Sequence, residues 1–334
     1  MIISRTPFRV SLFGGGTDYP KWYERHGGAV LGFAIDKYCY ISVRRLPPFF
    51  EHKHRIVYSM VENVKSIDEI KHPAVKGILS EYPPQEGIEI HHDGDLPARS
   101  GLGSSSSFTV GLTNSLAAFR GRMISKRDLA REAIRIEHEV INEKVGCQDQ
   151  IWATFGGLNR IDFLKTGDFD VQPVMVGRER REDLQDHLLL VFTGLSRLAP
   201  VMAEKQIENI DAREKQLLEM LAMVDEAQTV LVDESRPITD LGKLLHKSWQ
   251  LKRELADGVT TPLVDEIYDA AMTAGATGGK LLGAGGGGFM LFIVEPDRQD
   301  KVRDALKDLV SVKIAIDNVG SRIVVYEPDG LEHA

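Results

Sequence analysis

Several things are scarce in this 334-residue chain, and each absence removes a class of function. There are two cysteines, Cys39 and Cys147, at no spacing that suits a metal site or a disulfide framework, so a reducing cytoplasm is the expected setting. No apolar run approaches the length that spans a bilayer, and Met1-Ile-Ile-Ser-Arg-Thr-Pro7 lacks the layout of a signal peptide. Positive charge is in deficit, with a net charge of −8 and a pI near 5.7. That balance argues against nucleic acid or an anionic membrane as partner, while leaving room for a local basic pocket that takes a phosphorylated small molecule. Internal repeats and low-complexity tails are missing as well. What is present is 43% hydrophobic, enough for a substantial core in one large or two ordinary domains. The chain reads as a soluble, intracellular, globular protein.

One stretch stands out against that background. Leu96-Pro-Ala-Arg-Ser-Gly-Leu-Gly-Ser-Ser-Ser-Ser107 follows a strand-like alternation over 87–93 and precedes Phe108, Leu112, Leu116 and Phe119 at helical spacing. It therefore sits at a strand-to-helix junction. The first turn of such a helix presents unpaired N–H groups and the positive end of the helix dipole. Gly101 and Gly103 let the backbone approach an anion, and Ser104 to Ser107 add hydroxyls suited to phosphate oxygens or a metal ion. A flexible linker is not normally bracketed by two patterned elements; a packed helix cap without a ligand stays open. The loop is not a P-loop, because Gly279-Lys280 is followed by Leu281. It is not a dinucleotide fingerprint either, because Ser106 stands three residues beyond Gly103.

Alternation predicts strands over 2–5, 8–13, 29–35, 38–44 and 55–60, then helices over 104–119 and 126–144, the second capped by Ser125 with Asp128 three residues on. Strands are expected over 157–163 and 187–192, and long helices over 202–232 and 241–255. The chain closes with helix 262–274, strand 289–294, helix 298–309 and strands 312–316 and 322–326. Thr261 and Asp297 are the expected caps of the last two helices, with Pro262 at a first helical position. A change of texture near residue 195 suggests two domains, 1–194 and 195–334, in an α+β architecture.

On the helix expected over 126–144, Leu129, Ala130, Ala133, Ile134, Ile136, Val140 and Ile141 define one face, and Glu137 lies near its middle. Glu132, Glu139 and Glu143 fall on the other side, as solvated charges should. A carboxylate aimed inward needs a cation, so Glu137 is either half of an ion pair, with Arg9 or a lysine, or a Mg²⁺ ligand. Twelve residues on, Asp149 stands in Gly146-Cys-Gln-Asp-Gln150, as a helix cap or as the acid that takes a proton in phosphoryl transfer to a hydroxyl. Two glycine clusters remain, 14–16 and 283–288. Each is a tight turn or a place where ligand meets backbone, and Asp18 beside the first is a bidentate acceptor for sugar hydroxyls.

Taken in this order, the segments resemble the GHMP kinase family, named for galactokinase, homoserine kinase, mevalonate kinase and phosphomevalonate kinase. The resemblance rests on Thr6-Pro-Phe-Arg-Val-Ser-Leu-Phe-Gly-Gly-Gly-Thr-Asp18, on 96–107, and on Lys280-Leu-Leu-Gly-Ala-Gly-Gly-Gly-Gly-Phe289. It implies a two-domain GHMP kinase fold, with an N-terminal ribosomal-protein-S5-like domain, a C-terminal ferredoxin-like domain and the site in the cleft between them. It implies that Arg99, Ser100, Gly101, Leu102, Gly103, Ser104, Ser105, Ser106 and Ser107 hold the ATP phosphates and that Ser105 and Glu137 hold Mg²⁺. Asp149 would be the catalytic base, and Arg9 would stabilise the developing charge. Gly15, Gly16, Thr17 and Asp18, with Asp149, Gly286 and Gly287, would line the substrate site.

Galactokinases have Gly-Glu-His-Thr-Asp-Tyr where this chain has Gly14-Gly-Gly-Thr-Asp-Tyr19. The lost side chains open the sugar pocket and make the chain similar to the heptose 7-phosphate kinase branch, which it also resembles at 146–150, 193–197 and 249–252. That branch implies phosphorylation of the anomeric C1 hydroxyl of D-glycero-D-manno-heptose 7-phosphate to the 1,7-bisphosphate, on the route to nucleotide-activated heptose for surface polysaccharide. The 7-phosphate calls for basic partners. Arg197, Lys247, Lys252 and His52-Lys-His-Arg55 are the candidates. The rival readings are an L-fucose or other hexose kinase and a catalytically silent sensor of sugar and ATP. A decarboxylase of the mevalonate branch is disfavoured by Asp18, and a homodimer is allowed but not required.

Overall fold

The computed structural model describes residues 1–194 and 199–328. Along the chain run β1 (Ile2–Phe13), α1 (Pro20–His26), β2 (Gly28–Arg45), β3 (His54–Val57), β4 (Val61–Val64), α2 (Pro73–Glu81), β5 (Ile88–Gly94) and α3 (Ser104–Phe119). Next come α4 (Lys126–Arg135), α5 (Gln148–Phe155), β6 (Leu158–Phe163), β7 (Phe169–Pro173), α6 (Arg178–Asp186) and β8 (Leu188–Phe192). The rest comprises α7 (Ala199–Asn209), α8 (Glu214–Val232), α9 (Ile238–Arg253), α10 (Pro262–Ala274), β9 (Ala276–Leu281), β10 (Phe289–Val294), α11 (Gln299–Ala305), β11 (Val310–Val312) and β12 (Arg322–Tyr326). Among the described residues, no helix is long and apolar enough to cross a membrane.

The strands form two sheets. The first runs β12-β1-β2-β5-β3-β4, and β2 is long enough to pair β6 along Gly28–Phe33 and β5 along Cys39–Arg45. The second runs β11-β8-β10-β9 and is antiparallel throughout. Membership in the sheets does not follow chain order at either end of the second unit. β8, before residue 195, pairs β10 in the second sheet, whereas the last strand, β12, pairs β1 in the first. A continuous apolar core joins the two, from Phe8, Val10 and Leu31 of the first sheet through Val224 and Leu241 on α8 and α9 to Phe289 and Leu291.

Several expected boundaries move, each for a local reason. The breaks expected near Pro7 and Asp36 do not occur: β1 and β2 run through them, and a register shift between Pro7 and Arg9 absorbs the proline's missing N–H. The helix expected over 126–144 is α only to Arg135 and then a π-turn over Ile136–Val140, after which Asn142 takes a positive φ. Glu143, assigned to the solvent side by the helical wheel, is consequently partly buried. The helix expected over 202–232 is two, α7 and α8, parted by a 3-10 turn at Asp211–Arg213 where Ile210 drops into the core. Asp297 is not a cap; it lies inside a 3-10 turn, and Arg298 precedes α11. Ser125 and Thr261 do cap, accepting from the N–H groups of Asp128 and Val264.

Candidate active site

The Gly/Ser loop enters α3 through Gly103 in the left-handed conformation, with no side chain capping the helix. The first-turn N–H groups of α3 are therefore presented outward, at the positive end of a sixteen-residue helix. Arg99, at φ 58, donates its N–H to Ser104 Oγ and closes the loop on itself. The remaining residues hold the loop down. Ser107 Oγ donates to Pro7 O, Leu102 is fully buried and accepts from Arg9 N, and Ser100 O accepts from Phe289 N.

The third glycine cluster is a buttress for this loop. A Cβ on Gly101, at φ +85, would lie 2.5 Å from Leu282 O, and one on Gly283 would lie 2.6 Å from Gly101 Cα. Only glycines allow the two backbones to approach so closely. Gly286 and Gly287 lie further along the same turn, where Gly286 N–H donates to Val259 O; among the described residues no hydrogen bond ties them to Asp18 or Asp149. Gly101→Ala is expected to cost at least ~1–2 kcal/mol from the left-handed backbone alone, read as a lower Tm.

At the mouth of the loop, Arg9 on β1 forks onto Asp149 on α5. Nε donates to Oδ1 at 2.7 Å and Nη2 to Oδ2 at 2.6 Å, while Nη1 donates to Gly101 O at 2.6 Å. Asp149 is the second residue of α5 rather than its cap, which is Cys147. Asp149 Oδ2 stands 3.2 Å from where a Gly103 Cβ would be, so acid and phosphate loop are in contact. Beside them Asp18 is buried and accepts from Gly16 N and Gln148 N. Burial, and then the charge of Asp149, push its carboxyl above the usual range.

Two buried lysines complete the electrostatics. Lys280 Nζ donates to Leu12 O at 2.8 Å, and its pKa is brought down to about 7 by burial and by Arg9. Sequence reasoning assigned it no role, although a lysine inside an otherwise apolar strand pair is a legible signal. Lys252, a sequence candidate for the substrate, is spent on the carbonyls of Leu281 and Gly283, and burial holds its ammonium well below the ordinary range. It braces the glycine turn from below. Lys247 pairs with Glu219 at 2.7 Å, and Arg197 lies outside the described residues.

Glu137 is 1% exposed. The π-turn aims it at α3, where Ser106 Oγ donates to Oε2 at 3.0 Å and Gln150 Nε2 donates to the same oxygen at 2.5 Å. Its partner serine is Ser106, not Ser105, which is exposed: one residue is a 100° turn of the helix. Among the described residues Glu137 forms no ion pair with Arg9 or a lysine; its partners are Ser106 and Gln150. Oε1 is buried with no partner, and burial, helped by Glu143, drives the carboxyl up to about 8. A buried carboxylate oxygen left bare beside a serine hydroxyl and a phosphate loop fits a hard divalent cation such as Mg²⁺. Among the described residues no cluster of three acids, histidines or cysteines forms.

The first glycine cluster divides by function. Thr17, expected to touch substrate, pins the turn, donating to Gly14 O and Ala29 O and accepting from Ala29 N. A Cβ on Gly14 would strike Ala29 O at 1.9 Å, but one on Gly15 would meet only Ser11 Oγ at 3.8 Å and Gln148 Nε2 at 3.9 Å. Gly15 is therefore not demanded by the backbone; it leaves a space. Ser11 Oγ, buried and without a partner, borders that space together with the side-chain amide nitrogen of Gln148, as polar groups that can meet hydroxyls do. Gly15→Glu should keep the Tm within about 2 °C of the parent while raising the KM for a sugar acceptor by at least ~10-fold, measured by ADP release.

The model of the GHMP kinases N terminal domain matches residues 68–157, and the GHMP kinases C terminal model matches 231–311. The chain belongs to the GHMP kinases. As a GHMP kinase it is a phosphotransferase with an alcohol acceptor, on the two-domain fold of that family. It is 29% identical over 318 residues to the D-glycero-alpha-D-manno-heptose 7-phosphate kinase of Campylobacter jejuni, covering 92% of this chain and 93% of that one. It is 30% identical over 243 residues to a mevalonate kinase of Pyrococcus horikoshii, covering 70% and 67%. A crystal structure of a D-glycero-D-manno-heptose 1-phosphate kinase from Bacteroides thetaiotaomicron superposes with TM-score 0.79 at 22% identity, covering 98% of this chain and all of that one, a likeness of fold.

Proposed function

We propose that this GHMP kinase transfers the γ-phosphoryl group of ATP to the anomeric C1 hydroxyl of D-glycero-D-manno-heptose 7-phosphate, giving the 1,7-bisphosphate in the cytoplasm for nucleotide-activated heptose. The observation that carries the chemistry is the Arg9–Asp149 fork against the Gly/Ser loop. The sugar assignment is supported by similarity to the Campylobacter enzyme over nine-tenths of both chains, and by the polar space over Gly15.

In this reading the N–H groups of the Gly/Ser loop and the start of α3 bind the ATP phosphates. Asp18 and the groups around Gly15 orient the sugar. Asp149 then accepts the proton of the C1 hydroxyl as its oxygen attacks the γ-phosphorus and the bond to the β,γ-bridging oxygen breaks, releasing ADP. Arg9, held by Asp149 and Gly101 O, stabilises negative charge on the transferring group. Glu137 and Ser106 would hold Mg²⁺, which when bound supplies neutralisation of the phosphate oxygens.

The test is ADP release with heptose 7-phosphate, L-fucose, D-galactose and D-mannose side by side. A kcat/KM for the heptose at least ~10²-fold above the others is expected. Preference for fucose would install the hexose-kinase reading, and binding of both ligands without ADP release would make the protein a sensor.

A further inference from the structure

We propose that Ser11 is a specificity-determining residue whose hydroxyl reads one ring hydroxyl of the acceptor, across the space that Gly15 leaves; this rests on the sugar-kinase reading above. The strand aims it. Successive side chains of β1 alternate between faces, so Ser11 shares a face with Arg9, and no register shift separates the two. That face lies against α5. Arg9 forks onto Asp149, and Gly32, which is opposite Ser11 in the ladder, comes so close to α5 that a Cβ on it would lie 2.9 Å from the Trp152 ring. Ser11 therefore stands on the wall that carries the proposed base.

Ser11 is 7% exposed, and among the described residues its Oγ has no hydrogen-bond partner. The polar groups around it are committed elsewhere: the N–H groups of Gly16 and Gln148 donate to Asp18, and Thr17 Oγ1 is held inside the glycine turn. A hydroxyl buried without a partner costs free energy that an alanine in the same place would not. The open side of Ser11 shows what offsets that cost. Within 4 Å, a Cβ on Gly15 would meet only Ser11 Oγ at 3.8 Å and Gln148 Nε2 at 3.9 Å. A sugar hydroxyl arriving over Gly15 can donate to Ser11 Oγ and accept from the Gln148 amide, with Asp18 as the neighbouring acceptor. The free protein thus leaves unmade a hydrogen bond that the acceptor completes.

The test takes parent and Ser11→Ala, each with D-glycero-D-manno-heptose 7-phosphate and with its 2-, 3- and 4-deoxy forms, and reads kcat and KM by ADP release alongside thermal unfolding. Ser11→Ala should raise the KM for the full sugar by about 10-fold, with kcat and the KM for ATP within about 2-fold of the parent. Its Tm should equal or exceed the parent's, because the free protein loses no hydrogen bond. For the one deoxy sugar that lacks the hydroxyl in question, the two proteins should have the same KM, since the two deletions remove a single interaction. A variant with the parent's KM for the full sugar, or one that discriminates against all three deoxy sugars as the parent does, overturns the inference and leaves heptose phosphorylation standing. A Tm several degrees below the parent's makes the hydroxyl structural and overturns it as well. A parent that does not phosphorylate the heptose overturns the substrate reading, and the role of Ser11 falls with it.

Discussion

Asp149→Asn lowers kcat by about 10²- to 10⁴-fold, with a far smaller change in the KM for ATP. The amide cannot take the proton of the attacking hydroxyl. It also offers one acceptor where Arg9 now finds two, Oδ1 at 2.7 Å and Oδ2 at 2.6 Å, and turns an NH₂ toward the guanidinium. Arg9 is only 5% exposed, so the mismatch should cost stability as well, about 1–3 kcal/mol, less than a fully buried pair because Asp149 is partly open to solvent. Steady-state ADP release and thermal unfolding of the same preparation separate the two effects. A variant that turns over like the parent would remove Asp149 from the reaction and leave it as a strut for Arg9.

Glu137→Gln should produce opposite effects on activity and stability. The carboxyl rises from about 4.5 in the unfolded chain to about 8 in the fold, so between those values the native state holds the extra proton. Its contribution to stability is fully present below pH 4.5, is lost as pH rises toward 8, and stays lost above. Each pH unit in that window is worth at most ~1.4 kcal/mol, which makes the metal-free protein several kcal/mol less stable at pH 8.5 than this group alone would allow at pH 5. The glutamine keeps an acceptor for Ser106 and Gln150 and carries no charge. Its Tm, measured with EDTA, should match the parent near pH 5 and exceed it by several degrees at pH 8.5. Mg²⁺ should raise the parent's Tm and leave the variant's unchanged, while the variant's kcat falls by about 10²-fold or more. Undiminished turnover, or equal Tm values at both pH values, would refute the assignment.

Much of this was legible in the sequence because the signals are local. The helix after the Gly/Ser loop begins at Ser104 and ends at Phe119 as its spacing predicts, and α10, β10 and β12 have the expected bounds. The wheel that turned Glu137 inward was right about burial, since apolar periodicity survives a π-turn that shifts the ladder by one residue. Other residues have structural partners that no local pattern announces, because those partners are remote in the chain. The hydroxyls of Thr17 and Ser107 donate to Ala29 O and Pro7 O, and the ammonium of Lys252 donates to the carbonyls of Leu281 and Gly283. The partnerless hydroxyl of Ser11 carries no sequence signature, because having no partner is a property of the packed protein.

The sequence by itself determined the type of its strongly periodic elements, such as α3, α10, β10 and β12, the inward acid and the glycine-led loops, all set by periodicity and backbone freedom within a few residues. Tertiary structure decided which serine meets Glu137, that the third glycine cluster braces the phosphate loop, and that β8 and β12 cross between the two units in chain order. Those outcomes depend on contacts between residues up to hundreds apart, where a shift of one residue in a helix or a ladder exchanges the partner and no local pattern records the choice.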